Sequence, residues 1–474
     1  MLFNSVLFLL FFGWVVLVHY SPLGWKSKKF HLLLASYFFY GSWMPPFVLL
    51  LIISTAVGWL VARLMHSQNN IRIRRLLLFV SLAANLGILG WFKYGTLFMD
   101  AFAMAAEQIG WSWTAPQFDI ILPIGISFYT FQTLAYTIDV YLKRIKPEDS
   151  ILDFALFVSF FPQLVAGPIV RPGQLLPQFK SPQKATRQQF FWGAMLFTWG
   201  LFQKSVLADS ILGPSAGHAF GMQEEIYMFD AWLAVFAFSG QIFFDFAGYS
   251  LCAIGIALCL GFSIPNNFKC PYAAMGFSDF WRRWHVSLSE WLRDYLYIPL
   301  GGNRQGKTRT KINLMLTMLL GGLWHGANWR FVAWGGIHGA YLLVERAISG
   351  RTEFRATRDL GFIQRFVGTS ATYVAICITW VFFAAPTWES CGLIFCSLVG
   401  LTESPIAVLK TVEILMIVPV VLGMLVFQWL MRDQEMESVV EKSPTWLVYS
   451  VFFLILVSVV LTGGGDSAFI YFQF

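Results

Sequence analysis

Charge is what this chain has least of: Asp, Glu, Lys and Arg make up only 12% of its 474 residues. A soluble domain carries roughly 25%, so a water-solvated globule is excluded. The six cysteines, Cys252, Cys259, Cys270, Cys377, Cys391 and Cys396, fall mostly in or beside apolar runs and form no CxxC framework. Neither a disulfide scaffold nor a structural zinc site is indicated. No HExxH pair is present, which removes the metalloprotease reading, and no Gly-rich phosphate loop follows a strand. No metal site is expected. No repeat of 20 to 50 residues is apparent, so one domain over 1–474 is expected. The net charge of +7 does not call for nucleic acid, because basic residues clustered between apolar spans are what cytoplasmic loops contain.

What is present is apolar and aromatic: 57% hydrophobic residues, with 48 Phe and 20 Trp, in runs that recur along the whole chain. This composition reads as an all-α, polytopic membrane protein. Leu2 to His19 lacks a basic leading segment and a small-residue cleavage site, so it is read as a retained first helix.

The positive-inside rule then gives a topology. Lys26, Lys28 and Lys29 follow the first span, Pro45-Pro46 divides Phe30 to Leu64 into two crossings, and Arg63, Arg72, Arg74 and Arg75 follow the third. Met99 to Asp119 has no Lys or Arg and is an outer loop, whereas Lys143, Arg144 and Lys146 close the fifth span inside. Ile151 to Pro168 is apolar but is followed by Arg171, Lys180, Lys184 and Arg187, so a re-entrant or interfacial element fits better than a crossing. Phe190 to Ala208 and Ala231 to Leu260 are spans joined by an outer loop holding Asp209, Glu224 and Glu225, and Lys204 is read as snorkelling to the interface. Spans near Ala371 to Ala385, Val412 to Leu430 and Trp446 to Leu461 complete about ten crossings, with both termini outside.

Between these spans, Lys269 to Lys311 is basic and Trp-rich, and Arg346, Arg351, Arg355, Arg358 and Arg365 form a second basic stretch. The runs Ile312 to Trp324 and Phe331 to Val344, joined by Gly326 to Arg330, therefore form a hairpin with both ends cytoplasmic. Thirteen residues rise only about 20 Å against a core of about 30 Å. The tip should lie within the membrane, beside a water-filled cavity or tunnel. That tip carries His325. An ionisable group there costs about 2.5 to 3.5 kcal/mol when charged, and a neutral imidazole is the form a general base requires. The plain alternative is a core histidine closing its helix end.

At this point the sequence resembles a family. Asp279-Phe280-Trp281-Arg282-Arg283-Trp284-His285-Val286-Ser287-Leu288-Ser289, continuing to Arg304, is similar to the signature of membrane-bound O-acyltransferases, in the branch that O-acetylates alginate, cellulose, peptidoglycan and other glycans. Leu122 to Tyr129, Ala166 to Ile169, Phe244 to Ser250 and Gly321 to Ala327 fit that branch in the same order, and the terminal Phe469 to Phe474 also looks familiar. The resemblance is strongest from about 121 to 345, and Thr352 to Phe474 departs more. It implies that His325 is catalytic, with a second histidine at His285. It also implies acetyl-CoA as a cytosolic donor substrate with no tightly bound cofactor, delivery toward the outer face of a bacterial inner membrane, and a separate periplasmic esterase-fold partner.

Further candidates follow from placement. Asn328 could orient the His325 ring or donate to the carbonyl oxygen, or simply make the turn; Trp324 adjoins the same site. His285 falls on Phe280 to Tyr295, whose Trp281, Trp284, Leu288, Trp291 and Leu292 make one apolar face of an interfacial helix. Arg282, Arg283, Arg293 and Arg304 could pair with CoA phosphates, although positive-inside bias alone would place such charges. Gln241, Asp245 and Tyr249 repeat every four residues on an inward stripe; Asp245 either lines a substrate channel or partners a buried cation. His338 lies on the returning arm as a possible lining residue. Two function classes remain: acetyl transfer to an extracytoplasmic glycan or partner, and a transporter or scaffold using His325 and Asp245 as a relay. Protein or lipid acylation is a lesser rival.

Overall fold

Where no water is present to pair backbone amides and carbonyls, the chain must satisfy them within each segment, and helix does so. The computed structural model describes residues 1–113, 120–165, 167–349 and 360–462. Among them strand-type pairing is limited to an isolated bridge between Ile226 and Ile406. Arg351, Arg355, Arg358, Ala166, Asp119 and the terminal Phe469 to Phe474 lie outside the described residues. Among the described residues five helices are long and apolar enough to cross a membrane: Phe47–His66, Ile71–Gln108, Met228–Cys259, Phe362–Ala384 and Thr411–Met431. Val6–Tyr20, Trp388–Val399 and Thr445–Leu461 are shorter apolar helices. The protein is thus all-helical and multi-pass, but not all ten expected crossings are helices of crossing length.

The bundle is organised around Met228–Cys259, whose apolar window is 83% buried. It packs against Arg187–Leu201 through two reciprocal glycine pairs. A Cβ on Gly200 would come 2.5 Å from the Gly248 carbonyl oxygen, and one on Gly193 would come 2.7 Å from that of Gly255. Small residues at these seven-residue steps let the two backbones touch, which is how helices associate where burial of apolar surface gives no net drive. At the periphery, Thr445–Leu461 buries no residue at all, as befits a surface solvated by lipid.

Several expectations change. The Arg187–Leu201 helix widens into a π-helix, Phe202–Leu212, and its altered register carries Asp209 inside the helix rather than into a loop. Lys204 does not snorkel: it is buried, pairs with Asp209 at 2.8 Å and bonds Asp245 more closely still. The supposed outer loop from Met99 is helical through Gln108. The reading of Ile151 to Pro168 as something other than a crossing does not change: Ile151–Ser159 and Phe161–Leu164 are two short pieces broken at Phe160, far below the ~20 residues a crossing needs. The continuous helix expected over Phe280 to Tyr295 is broken into Phe277–Arg283 and Val286–Leu292 by His285, whose φ is 44°. Trp388–Val399 is an additional helix that the apolar runs did not signal.

Candidate active site

The hairpin is built from an ascending arm, Gly306–His325, and a descending arm, Trp329–Ser349. Gly322 and Gly335 lie at their contact, where a Cβ on Gly322 would come 3.1 Å from the Gly335 Cα. The ascending arm stops at Gly326, which is extended; a side chain there would run into the Phe331 ring. Asn328 Oδ1 accepts the Arg330 backbone N–H at 2.9 Å, so its carboxamide starts the descending arm. His325 lies about 21 Å along the axis past Lys311 at ~1.5 Å per residue, a length to set against a hydrocarbon core of about 30 Å.

A helix that ends in the membrane exposes its last carbonyls, and here another helix satisfies them. On Ile71–Gln108, Lys93 Nζ donates to the carbonyls of Trp324 at 2.5 Å and His325 at 3.0 Å. Tyr94 Oη donates to the carbonyl of Leu323 at 2.8 Å. The backbone that carries His325 is therefore clamped by two side chains that the sequence reading did not single out. Lys93 was nevertheless detectable in principle, as a lone cation in an apolar run.

The His325 ring is 3% exposed and packed edge-on against Trp324, Trp334 and Phe383, with centroids 5.0, 5.1 and 5.4 Å away. It is not sealed. A cavity of about 940 Å³ extends along the ascending arm from Leu314 past Thr317 and Gly321 to His325. A second pocket of about 40 Å³, formed by Lys93, Leu122 to Phe128 and Trp324, meets His325 beyond the helix end. His325 lines both spaces. The larger has Arg282, Arg293 and Arg346 in its wall; the smaller is walled by Leu122 to Phe128, which lead into Ile126–Tyr141.

The basic candidates separate. Arg282 and Arg293 line the large cavity, joined by Arg346 and Asn303; Arg346 donates to Asn303 Oδ1 at 3.2 Å. Arg283 and Arg304 are not among the lining residues. Arg283 is held by Asp279 at 2.8 Å and by the carbonyls of Lys269 and Arg432, and Arg304 is exposed outside the cavity. The phase of Phe277–Arg283 decides this: successive residues point to different faces of a helix.

His285 lies one aromatic layer behind, separated from His325 by Trp324, with ring centroids 6.0 and 5.0 Å from it. Asn267 Oδ1 accepts the Ser287 backbone N–H at 3.2 Å, which fixes the amide orientation, and also meets His285 Nδ1 at 3.2 Å. His285 Nδ1 must then carry the proton, leaving Nε2 with a free lone pair. His338 Nε2 meets Thr379 Oγ1 at 3.0 Å, and the ring packs behind Trp281 and Trp334. Neither histidine lines either space. Asp245 is also elsewhere, bonded to Lys204 beneath the Tyr249 ring; it has the buried cation as partner.

A buried imidazole that borders two spaces, the larger with arginines in its wall, makes this the candidate site. Residues 143–385 match the membrane-bound O-acyltransferase family. The chain is 40% identical over 386 residues to a "probable alginate O-acetylase" of Pseudomonas aeruginosa, covering 81% of this chain and 72% of that protein. It is 38% identical over 436 residues to a peptidoglycan O-acetyltransferase of Helicobacter pylori, covering 85% and 80%. A teichoic acid D-alanyltransferase of Streptococcus thermophilus is 30% identical over 237 residues, 47% of this chain and 57% of that protein. The protein belongs to the membrane-bound O-acyltransferase family and is an acyltransferase. A role confined to transport or scaffolding is set aside.

Proposed function

We propose that this protein takes an acetyl group from cytosolic acetyl-CoA at the large cavity and passes it to a hydroxyl arriving from the outer side of a bacterial inner membrane. The hydroxyl belongs to an extracytoplasmic polysaccharide or to a separate periplasmic transferase. The observation that carries this reading is that one residue, His325, lines both spaces.

Arg282, Arg293 and Arg346 at the cavity suit the phosphates of CoA, because guanidinium binds phosphate oxygens bidentately. A volume of about 940 Å³ is at the upper end of small-molecule sites and suits an extended thioester. The transfer then proceeds with His325 as base. The acceptor hydroxyl gives its proton to the imidazole as its oxygen attacks the thioester carbonyl; the C–O bond forms, the C–S bond breaks, and the imidazolium protonates the departing thiolate. Such proton transfer contributes roughly 10² to 10⁴ in rate. Attack by His325 itself, through an acetyl-imidazole, uses the same geometry.

Purified protein with radiolabelled acetyl-CoA tests the reading. Thioester turnover should collapse in His325→Ala while the variant elutes and melts like wild type; undiminished turnover in that variant would defeat it. Polymer acetylation should also require the separate partner, and full acetylation by the membrane protein alone would remove the partner from the scheme.

A further inference from the structure

Lys93 is a basic residue in the middle of an apolar helix, and an intramembrane ionisable residue is read as functional by default. Its Nζ donates to the carbonyls of Trp324 and His325, which leaves the third N–H of its ammonium form for another acceptor. Its side chain also lines the small outer pocket, which it shares with His325. An apolar wall of Leu122, Pro123, Ile124 and Phe128 faces it there. A volume of about 40 Å³ accommodates a few waters, each needing about 10 to 15 Å³ on this measure, so what fits is a hydroxyl arm rather than a sugar ring.

We propose that Lys93 binds the acceptor hydroxyl: clamped by the Trp324 and His325 carbonyls, it donates its third N–H to the oxygen that His325 deprotonates. The inference rests on the acyltransfer reading of His325. The stereochemistry of the oxygen permits it. One lone pair attacks the carbonyl carbon, the O–H proton goes to the imidazole, and the other lone pair accepts from Nζ; Lys93 neither gains nor loses a proton. An ammonium there also complements the negative end of the ascending arm, so the same contact that holds His325 orients its partner. Lys93 thereby favours small, unhindered hydroxyls that reach in on a flexible arm, such as a serine side chain or a primary sugar hydroxyl.

The test uses membrane vesicles of the producing cell with labelled acetyl-CoA, reading ester-linked label in polymer and protein, free labelled acetate, and acetyl-CoA binding to the purified variants. For Lys93→Met the expectation is ester-linked label at least 30-fold below wild type, donor affinity within threefold, and acetate release that does not fall in step. Lys93→Arg should recover label to within tenfold of wild type. A residue that merely closed the helix end would instead lower donor binding, acetate and ester together. If Lys93→Met does not fold, Lys93→Gln takes its place, with at least a tenfold loss of label expected at preserved donor affinity. Ester formation within threefold of wild type in the folded neutral variant, or parallel loss of donor binding, overturns the proposal. If His325→Ala retains ester formation the acyltransfer reading fails; if that variant is dead and the Lys93 variants are not, only the inference about Lys93 fails.

Discussion

Replacing Lys204 by Met distinguishes a structural Asp245 from a chemical one. Lys204 bonds Asp209 at 2.8 Å and Asp245 more closely, and its side chain and that of Asp245 are 3% and 2% exposed. Lys204→Met leaves two carboxylates in the bundle without their cation, and breaking a buried pair from one side costs roughly 3 to 5 kcal/mol. At roughly 2 °C per kcal/mol for a large domain, the melting temperature in detergent should fall by about 6 to 10 °C. Asp245→Asn is milder, because Lys204 keeps Asp209, and should cost about 1 to 3 kcal/mol. In the double variant the two losses should not add, since each removes the same contact. The assay is thermal unfolding beside acetyl-CoA turnover per folded molecule. Turnover should remain within a few-fold of wild type in Asp245→Asn. A variant that melts like wild type yet has lost turnover would refute the structural role and return Asp245 to the chemistry.

Arg346→Ala and Arg282→Ala should each raise the KM for acetyl-CoA about 10- to 100-fold with little change in kcat, since a hydrogen bond to a charged group is worth about 1.5 to 3 kcal/mol and 1.4 kcal/mol is tenfold; steady-state kinetics checks this, and Arg304→Ala serves as the unaffected comparison. Gly255→Val should destabilise the bundle by more than the 1 to 3 kcal/mol typical of overpacking, because the added carbon meets the Gly193 and Phe197 backbones; thermal unfolding reads it. In a donor series from acetyl- to palmitoyl-CoA, turnover should fall steeply within the first few carbons, as followed by thiol release.

The hairpin and its histidine were legible because two short apolar runs with basic flanks admit few arrangements, and an imidazole at the join has no bland partner in sequence. The Pro45-Pro46 division held for the same kind of reason: Trp25–Gly41 ends before it and Phe47–His66 begins after it. What escaped depended on rotation about helix axes. Arg283 and Arg346 look alike in a list of basic residues, yet one is consumed by Asp279 and the other lines the cavity. Lys204 was misplaced because a π-helix is invisible to a 3.6-residue period. His285 was placed on a smooth amphipathic helix, whereas its left-handed backbone ends one helix and starts another, with Asn267 taking up the freed groups. Lys93 belongs to a span 232 residues from its partner in sequence, and only tertiary structure brings them together.

The account depends on two compartments meeting at one ring, and sidedness in proteoliposomes of uniform orientation measures this directly. Labelled acetyl-CoA is confined to the face bearing Arg282, Arg293 and Arg346, the hydroxyl acceptor to the other, and ester formation is followed in wild type and His325→Ala. The prediction is ester only when donor and acceptor are on opposite faces in that orientation, and none in the variant. Ester formed equally well with both substrates on one face would contradict it.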